Sequence, residues 1–169
     1  MRRGALFLGA LSLAMAPASA KPLTIKQFQD MDQRLQDVGW KLARGNAAFC
    51  ANAIPSIGLQ LQDMASYGKP KVAQEALGLK GAFAVQSTAA GSPAARADLF
   101  ARNREIARIG AVDPNSWKAG KKRYWKRLDR AHDWIDRHLV EAGSVTVTFA
   151  TGDTSTVAPV SGITPPFGE

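Results

Sequence analysis

AVQSTAAGSPAARADL, residues 84–99, followed by NREIARIG, residues 103–110, is the stretch on which the fold turns. Ala82-Phe83-Ala84-Val85 is a short strand candidate leading into it. Ser92 suits a helix N-cap, and Pro93 suits the first helical position, where its missing N–H removes no bond. A short helix is therefore expected from Pro93. Glu105-Ile106-Ala107-Arg108-Ile109 alternates apolar and polar residues and ends at Gly110, as a strand closing in a glycine turn does. Strand, short helix, strand is the local order.

The same reading extends in both directions. Upstream, Leu59-Gln60-Leu61-Gln62 alternates after Gly58 and predicts a half-buried strand with Leu59 and Leu61 inward. Lys71 to Leu77 predicts a short helix closed by Gly78. Asn46 to Pro55 has no helical period, and Pro55 drives Ile54 into extended backbone. Downstream, Asp113-Pro114-Asn115 is a loop. Gly120 to Val140 then carries Trp125, Leu128, His132, Ile135 and Leu139 at steps of three and four, one face of a helix that Gly143 stops. Val145 to Phe149 and Ser155 to Val160 alternate around Thr151-Gly152-Asp153 and predict a closing β-hairpin. From Ser161 the sequence is rich in Pro and Gly and is expected to be a frayed tail.

Nearer the start, Thr24 and Gln27 have the spacing of a capping box. Ile25, Phe28, Met31, Leu35, Val38 and Leu42 follow as an apolar stripe, predicting a helix over about residues 24–44. Its other face, Lys26, Gln29, Asp30, Gln33, Arg34, Gln36 and Asp37, is expected to be solvated. Before it, Arg2 and Arg3, the apolar run Ala5 to Ala16, and Ala18-Ser19-Ala20 have the form of a cleaved export signal, with Lys21 as the mature N-terminus. Pro17 ends the run short of the roughly 20 apolar residues that a membrane span needs. A periplasmic or secreted protein is the expectation.

The chain has 169 residues, 46% of them apolar and 21% charged. That balance excludes a disordered chain, an extended coiled coil and a multidomain enzyme. The net charge of +8 becomes +6 once Arg2 and Arg3 are removed. Most of it lies between Lys118 and Arg137. Lys121, Lys122, Arg123, Lys126, Arg127 and Arg130 are the candidates for contact with an anionic membrane or envelope surface, against the simpler reading of a solvated helix face. Nucleic acid is not an expected partner of an exported protein.

Enzyme signatures are scarce. Six residues separate His132 from His138, which puts them on different sides of a helix. Asp129, His132 and Asp136 share a face at metal-ligand spacing, but His132 falls on the apolar stripe, where packing is the ordinary role. There is no H-E-x-x-H, G-x-S-x-G, P-loop or G-x-G-x-x-G motif. No catalysis, cofactor or metal is expected. Cys50 has no partner in the chain and is expected to be a buried apolar thiol.

The order of elements, with Gly-Ser-Pro-Ala-Ala-Arg-Ala at 91–97 opening the short helix, resembles a bacterial envelope PDZ domain. In that family a strand leads to Gly-Ser-Pro-Ala-x-x-Ala-Gly-Leu, then Gly-Asp-x-Ile and a further strand. Here Asp98 stands at the glycine after the helix, and Asn103 and Arg104 stand at Gly-Asp. The resemblance covers about residues 54–160 and implies an α+β fold, a small bent, mainly antiparallel sheet flanked by helices, with residues 21–45 added as an N-terminal helix, 46–160 as the PDZ-like domain and 161–169 as a tail. It implies a non-catalytic module that takes protein C-termini or extended peptides by β-augmentation. The groove would run over Ser56, Ile57, Gly58, Leu59 and Leu61 on one side and Leu128, His132 and Ile135 on the other. The sequence is also similar to the N-terminal part of longer proteobacterial proteins in which such a region precedes a peptidase-like domain. Two alternatives follow: the regulatory part of an envelope protease, itself then a candidate partner, or an envelope-surface protein using the basic helix.

Overall fold

A computed structural model describes residues 23–51, 53–120 and 124–162. The expected export signal, the cations Lys121, Lys122 and Arg123, and residues 163–169 of the tail lie outside the described residues. Among the described residues seven strands, β1 (Ile54–Ser56), β2 (Leu59–Asp63), β3 (Phe83–Thr88), β4 (Ile106–Ile109), β5 (Val145–Phe149), β6 (Thr154–Val157) and β7 (Val160–Gly162), accompany four α-helices, α1 (Ile25–Asn46), α2 (Pro70–Leu77), α3 (Pro93–Arg96) and α4 (Trp125–Ala142). The class is α+β, with small antiparallel sheets flanked by helices.

β2 pairs with β3, β4 with β5 and β5 with β6, all antiparallel. The amide of Val85 donates to Arg104 at 3.0 Å and the amide of Asn103 to Val85 at 2.8 Å, which ties β3 to the approach of β4. Alternation sets what β5 buries, while a bulge in β4 lets Ile106 and Ile109, three residues apart, both turn inward. Leu59, Leu61, Phe83, Val85, Ile106, Ile109, Val145, Val147 and Phe149 meet Ile135 and Leu139 of α4 in the main core. A smaller cluster of Met64, Ala73, Leu79 and Ala84 sits beneath α2.

The local signals around α3 act as expected. Ser92 caps it by accepting from the Ala95 amide at 3.1 Å, Pro93 opens it, and Gly78 and Gly143 close α2 and α4 in left-handed conformations. The tail begins later than expected, because Ser161 and Gly162 belong to β7 and pair with Pro55 and Ile54. A strand partner supplies the order that Gly and Pro content argued against. Trp125 departs from the core stripe of α4 and is exposed at its first turn, with Ala131 buried instead. Cys50 is exposed, not buried, because it follows the last turn after α1 at the surface.

The largest correction concerns α1. Its capping box forms, with Thr24 and Gln27 bonding reciprocally, and it runs through Gly39 to Asn46. However, only part of its polar face is solvated: Lys26, Asp30 and Arg34 are exposed as expected, while Gln29 is 1% exposed and Gln33 donates to the Thr88 carbonyl at 2.8 Å. The reason lies in the sheet. With Leu61 and Val85 turned inward, β2 and β3 present Gln62 and Gln86 outward, and only polar partners can cover buried amides without leaving them unsatisfied. Gln86 faces out because Ser87 opposes Gln60 and Val85 opposes Leu61, so β3 has one residue more than β2 at this point.

Gly58 shows how closely the pieces meet. It has φ +66°, and a Cβ there would lie 2.4 Å from Ser92 Cβ and 3.2 Å from the Trp40 ring of α1. Strain in the left-handed region and overpacking act together. Gly58→Ala is expected to lower the free energy of unfolding by about 3 kcal/mol in urea titrations. Gly91→Ala, at φ +75° with nothing within 4 Å of its Cβ, is expected to cost about 1 kcal/mol.

Candidate functional site

The groove that the resemblance implies would run between β2 and α4, and these two elements pack together. Among the described residues β2 pairs with a strand on one side only. Its other edge faces α4, where the Leu61 amide donates to His132 Nε2 at 3.3 Å. The imidazole thus caps one N–H of an otherwise free strand edge. Successive residues of a strand direct their backbone groups to opposite sides, so Leu59 and Asp63 turn theirs to this edge with Leu61.

The expected groove residues divide by environment. Ile57, Leu59, Leu61 and Ile135 are buried in the main core, and Leu128 is half-buried against it. Ser56 Oγ accepts from the Gly58 amide at 3.3 Å, while the Gly58 carbonyl accepts from Ala89 at 2.9 Å and that of Ile57 from Ala94 at 3.0 Å. The loop is braced by α3 from one side and by Trp40 from another. Gly58 is therefore a packing requirement.

Two ionisable groups on α4 are perturbed. Burial holds His132 down at about 4, with the negative charge of Asp129 opposing, so the ring is neutral and keeps the lone pair that accepts from Leu61. Burial, aided by Asp133, pushes the Asp136 carboxyl up to about 6. Among the described residues no group of three or more His, Cys, Asp or Glu is placed to hold a metal ion, and Asp129, His132 and Asp136 form no such set.

The basic candidates are not equivalent. Arg127 is removed from the surface: Nε donates to Asp63 Oδ2 at 2.7 Å, a second nitrogen bonds Asp63 Oδ1, Nη1 donates to the Trp117 carbonyl at 3.0 Å, and the guanidinium lies over Phe83. Asp63 is fully buried, so a single deep carboxylate at the end of β2 claims this cation. An anionic surface has no access to Arg127. Arg130 is exposed with its guanidinium 4.3 Å from the Trp117 ring centroid, and Lys126 is exposed.

Two features escaped the sequence reading. One is the Asp63–Arg127 pair, hinted at only by an acid that ends an otherwise uncharged strand. The other is an amide cluster in which Gln29 Nε2 bonds Asn103 Oδ1 at 2.7 Å and Gln62 Oε1 at 3.2 Å, while Gln62 Nε2 also reaches Asn103 at 2.7 Å. Gln86 joins it and donates to Asp32 at 2.6 Å. No spacing rule links residues 29, 62, 86 and 103.

Among known proteins, no family model matches this chain, and no curated protein and no solved structure matches it. Among the described residues no helix is long and apolar enough to cross a membrane.

Two predictions follow from these ionisable groups. Arg127→Ala leaves a buried carboxylate without its partner and is expected to destabilise the fold by about 3–5 kcal/mol in urea unfolding at pH 7. For His132, the unfolded ring binds a proton near pH 6.5 and the folded ring only near 4, so its contribution to stability falls as the pH drops through that window. Asp136 acts oppositely: the folded carboxyl takes its proton near pH 6, before the unfolded one near 3.8, so its contribution rises as the pH falls. Unfolding free energies measured from pH 7 to 4 should show His132→Gln gaining stability relative to wild type towards acid, and Asp136→Asn losing it.

Proposed function

We propose that this protein is an exported, non-catalytic PDZ-like module that binds an extended protein segment, C-termini foremost, as an added strand on the β2 edge beside α4. The observation that carries this reading is the Leu61 N–H. It belongs to a strand paired on one side, and its partner on the other is a side chain at 3.3 Å, an acceptor that a peptide carbonyl can replace. β-augmentation needs an edge of this kind with a wall alongside it, and α4 is the wall. His132 would act as a removable plug over the site.

Backbone geometry near α3 supports the PDZ-like reading. Asp98 and Asn103 stand where the family pattern has glycine, and both have left-handed backbone, φ 55° and 65°. Asp and Asn are the non-glycine residues that tolerate this region best. The turn thus keeps the backbone that the glycines of the pattern would adopt.

The test is fluorescence-anisotropy binding of the purified protein to a C-terminal peptide library, each peptide paired with its amidated twin. Binding of free-carboxylate peptides and not of their amides is expected. His132→Ala, which removes the plug, should tighten binding several-fold. If neither peptide form binds to the wild type or to His132→Ala, the proposal fails.

A further inference from the structure

Because α1 spends its polar face on the sheet, its apolar stripe faces solvent. Phe28, Met31, Leu35, Val38 and Leu42 are between 49% and 72% exposed. They follow one another at steps of three, four, three and four, and Phe49, 85% exposed, lies one further heptad beyond Leu42. This is the narrow seam of a two-helix coiled coil, and it differs from the broader apolar face of a core-facing helix. From this we propose that the protein forms a homodimer through α1, with two copies of the helix packed in parallel along this seam. The proposal does not rest on peptide binding at β2.

The charges beside the seam choose the occupant and its direction. With Phe28, Leu35 and Leu42 as the first positions of successive heptads, Gln27, Arg34 and Lys41 line one flank and Asp32, Gly39 and Asn46 the other. In a parallel pair each residue of the first flank faces one five positions on in the other copy: Gln27 meets Asp32, Arg34 meets Gly39 and Lys41 meets Asn46. No like charges oppose each other. An antiparallel pair sets Arg34 against Arg34 or Lys41. A lipid surface fits less well, since it has no use for a heptad register, and an interfacial helix carries a mainly basic polar face, where Asp30 and Asp37 lie among these cations. The helix is already folded on its own domain, so association bears no nucleation cost.

Sedimentation equilibrium over a range of concentrations of the full chain, as recovered from an expressing cell, tests this. A dimer is expected at tens of micromolar, weakened at least tenfold by Leu35→Glu combined with Val38→Glu, with circular dichroism unchanged because both positions are exposed. Direction is read at Cys50, which follows the seam. With oxidised glutathione as the acceptor of the two electrons, a parallel pair links its Cys50 thiols into a disulfide and releases two reduced glutathiones, giving a dimer band that Cys50→Ser lacks. A monomer at hundreds of micromolar overturns the proposal, as does a dimer indifferent to the double substitution. A dimer without the Cys50 link overturns the parallel arrangement. Pelleting of a monomer with phosphatidylcholine vesicles, lost in the double variant, overturns it in favour of a membrane.

Discussion

Gln29 is the residue on which the arrangement of the whole chain depends. Buried at the interface of α1 with β2 and β3, its amide bonds three other amide side chains at once. A buried amide without partners is expensive, and each member of this cluster satisfies the others. The cluster fixes the rotation of α1 about its own axis. Once Gln29 points at the sheet, Trp40 comes down on Gly58 and the apolar stripe is carried round to the solvent side. A helix that reads as one covering a core with its greasy face covers a polar sheet with its polar face.

The second anchor is at the other side of β2. Asp63 and Arg127 hold the first turn of α4 to the end of the strand, with Phe83 beneath the guanidinium and the Trp117 carbonyl beside it. Further along, helix and strand share the apolar core, and the polar link between helix and strand edge is the bond from Leu61 to a neutral imidazole. The two links differ in kind: a buried ion pair resists separation because each charge would be left in a dry setting, whereas a neutral bond of 3.3 Å is exchanged for another acceptor at little cost. The same β2 backbone is therefore tightly held at one point and replaceable at another. That contrast gives the proposed groove a fixed end and an openable middle.

Most of the secondary structure was legible because its signals are local. Ser92-Pro93 opens α3, Gly78 and Gly143 close their helices, Leu59-Gln60-Leu61-Gln62 alternates, and Thr24 with Gln27 caps α1. Periodicity also picked out both long helices, but it says only that a helix has two faces, and which face is covered depends on the chemistry of what it meets. For α4 the apolar face meets the core. For α1 the partner is Gln62, turned outward by the alternation of β2, and Gln86, the extra residue of a bulge in β3 that no local pattern announces. Cys50 was misplaced because the exposure of a residue after a helix depends on where the helix ends in space. Spacing placed His132 on its helix stripe and Leu59 and Leu61 on their strand, while the contacts of Asp63, Asn103 and Gln29 were missed because they join residues far apart in sequence. Arg127 was counted as a free cation for the same reason.

The bulge at Gln86 also has a meaning for how the chain is built. Removing that single residue would bring Ser87 and Val85 into an unbroken ladder opposite Gln60 and Leu61, leaving the sheet more regular. It would also delete the side chain that reaches Asp32 of α1 and one of the acceptors of Gln29. The attachment of the N-terminal helix is thus recorded inside the sheet as one additional residue. Helix and inserted residue share these polar contacts, and without that residue α1 would keep its bonds to Gln62, Asn103 and the Thr88 carbonyl and the seat of Trp40 at Gly58.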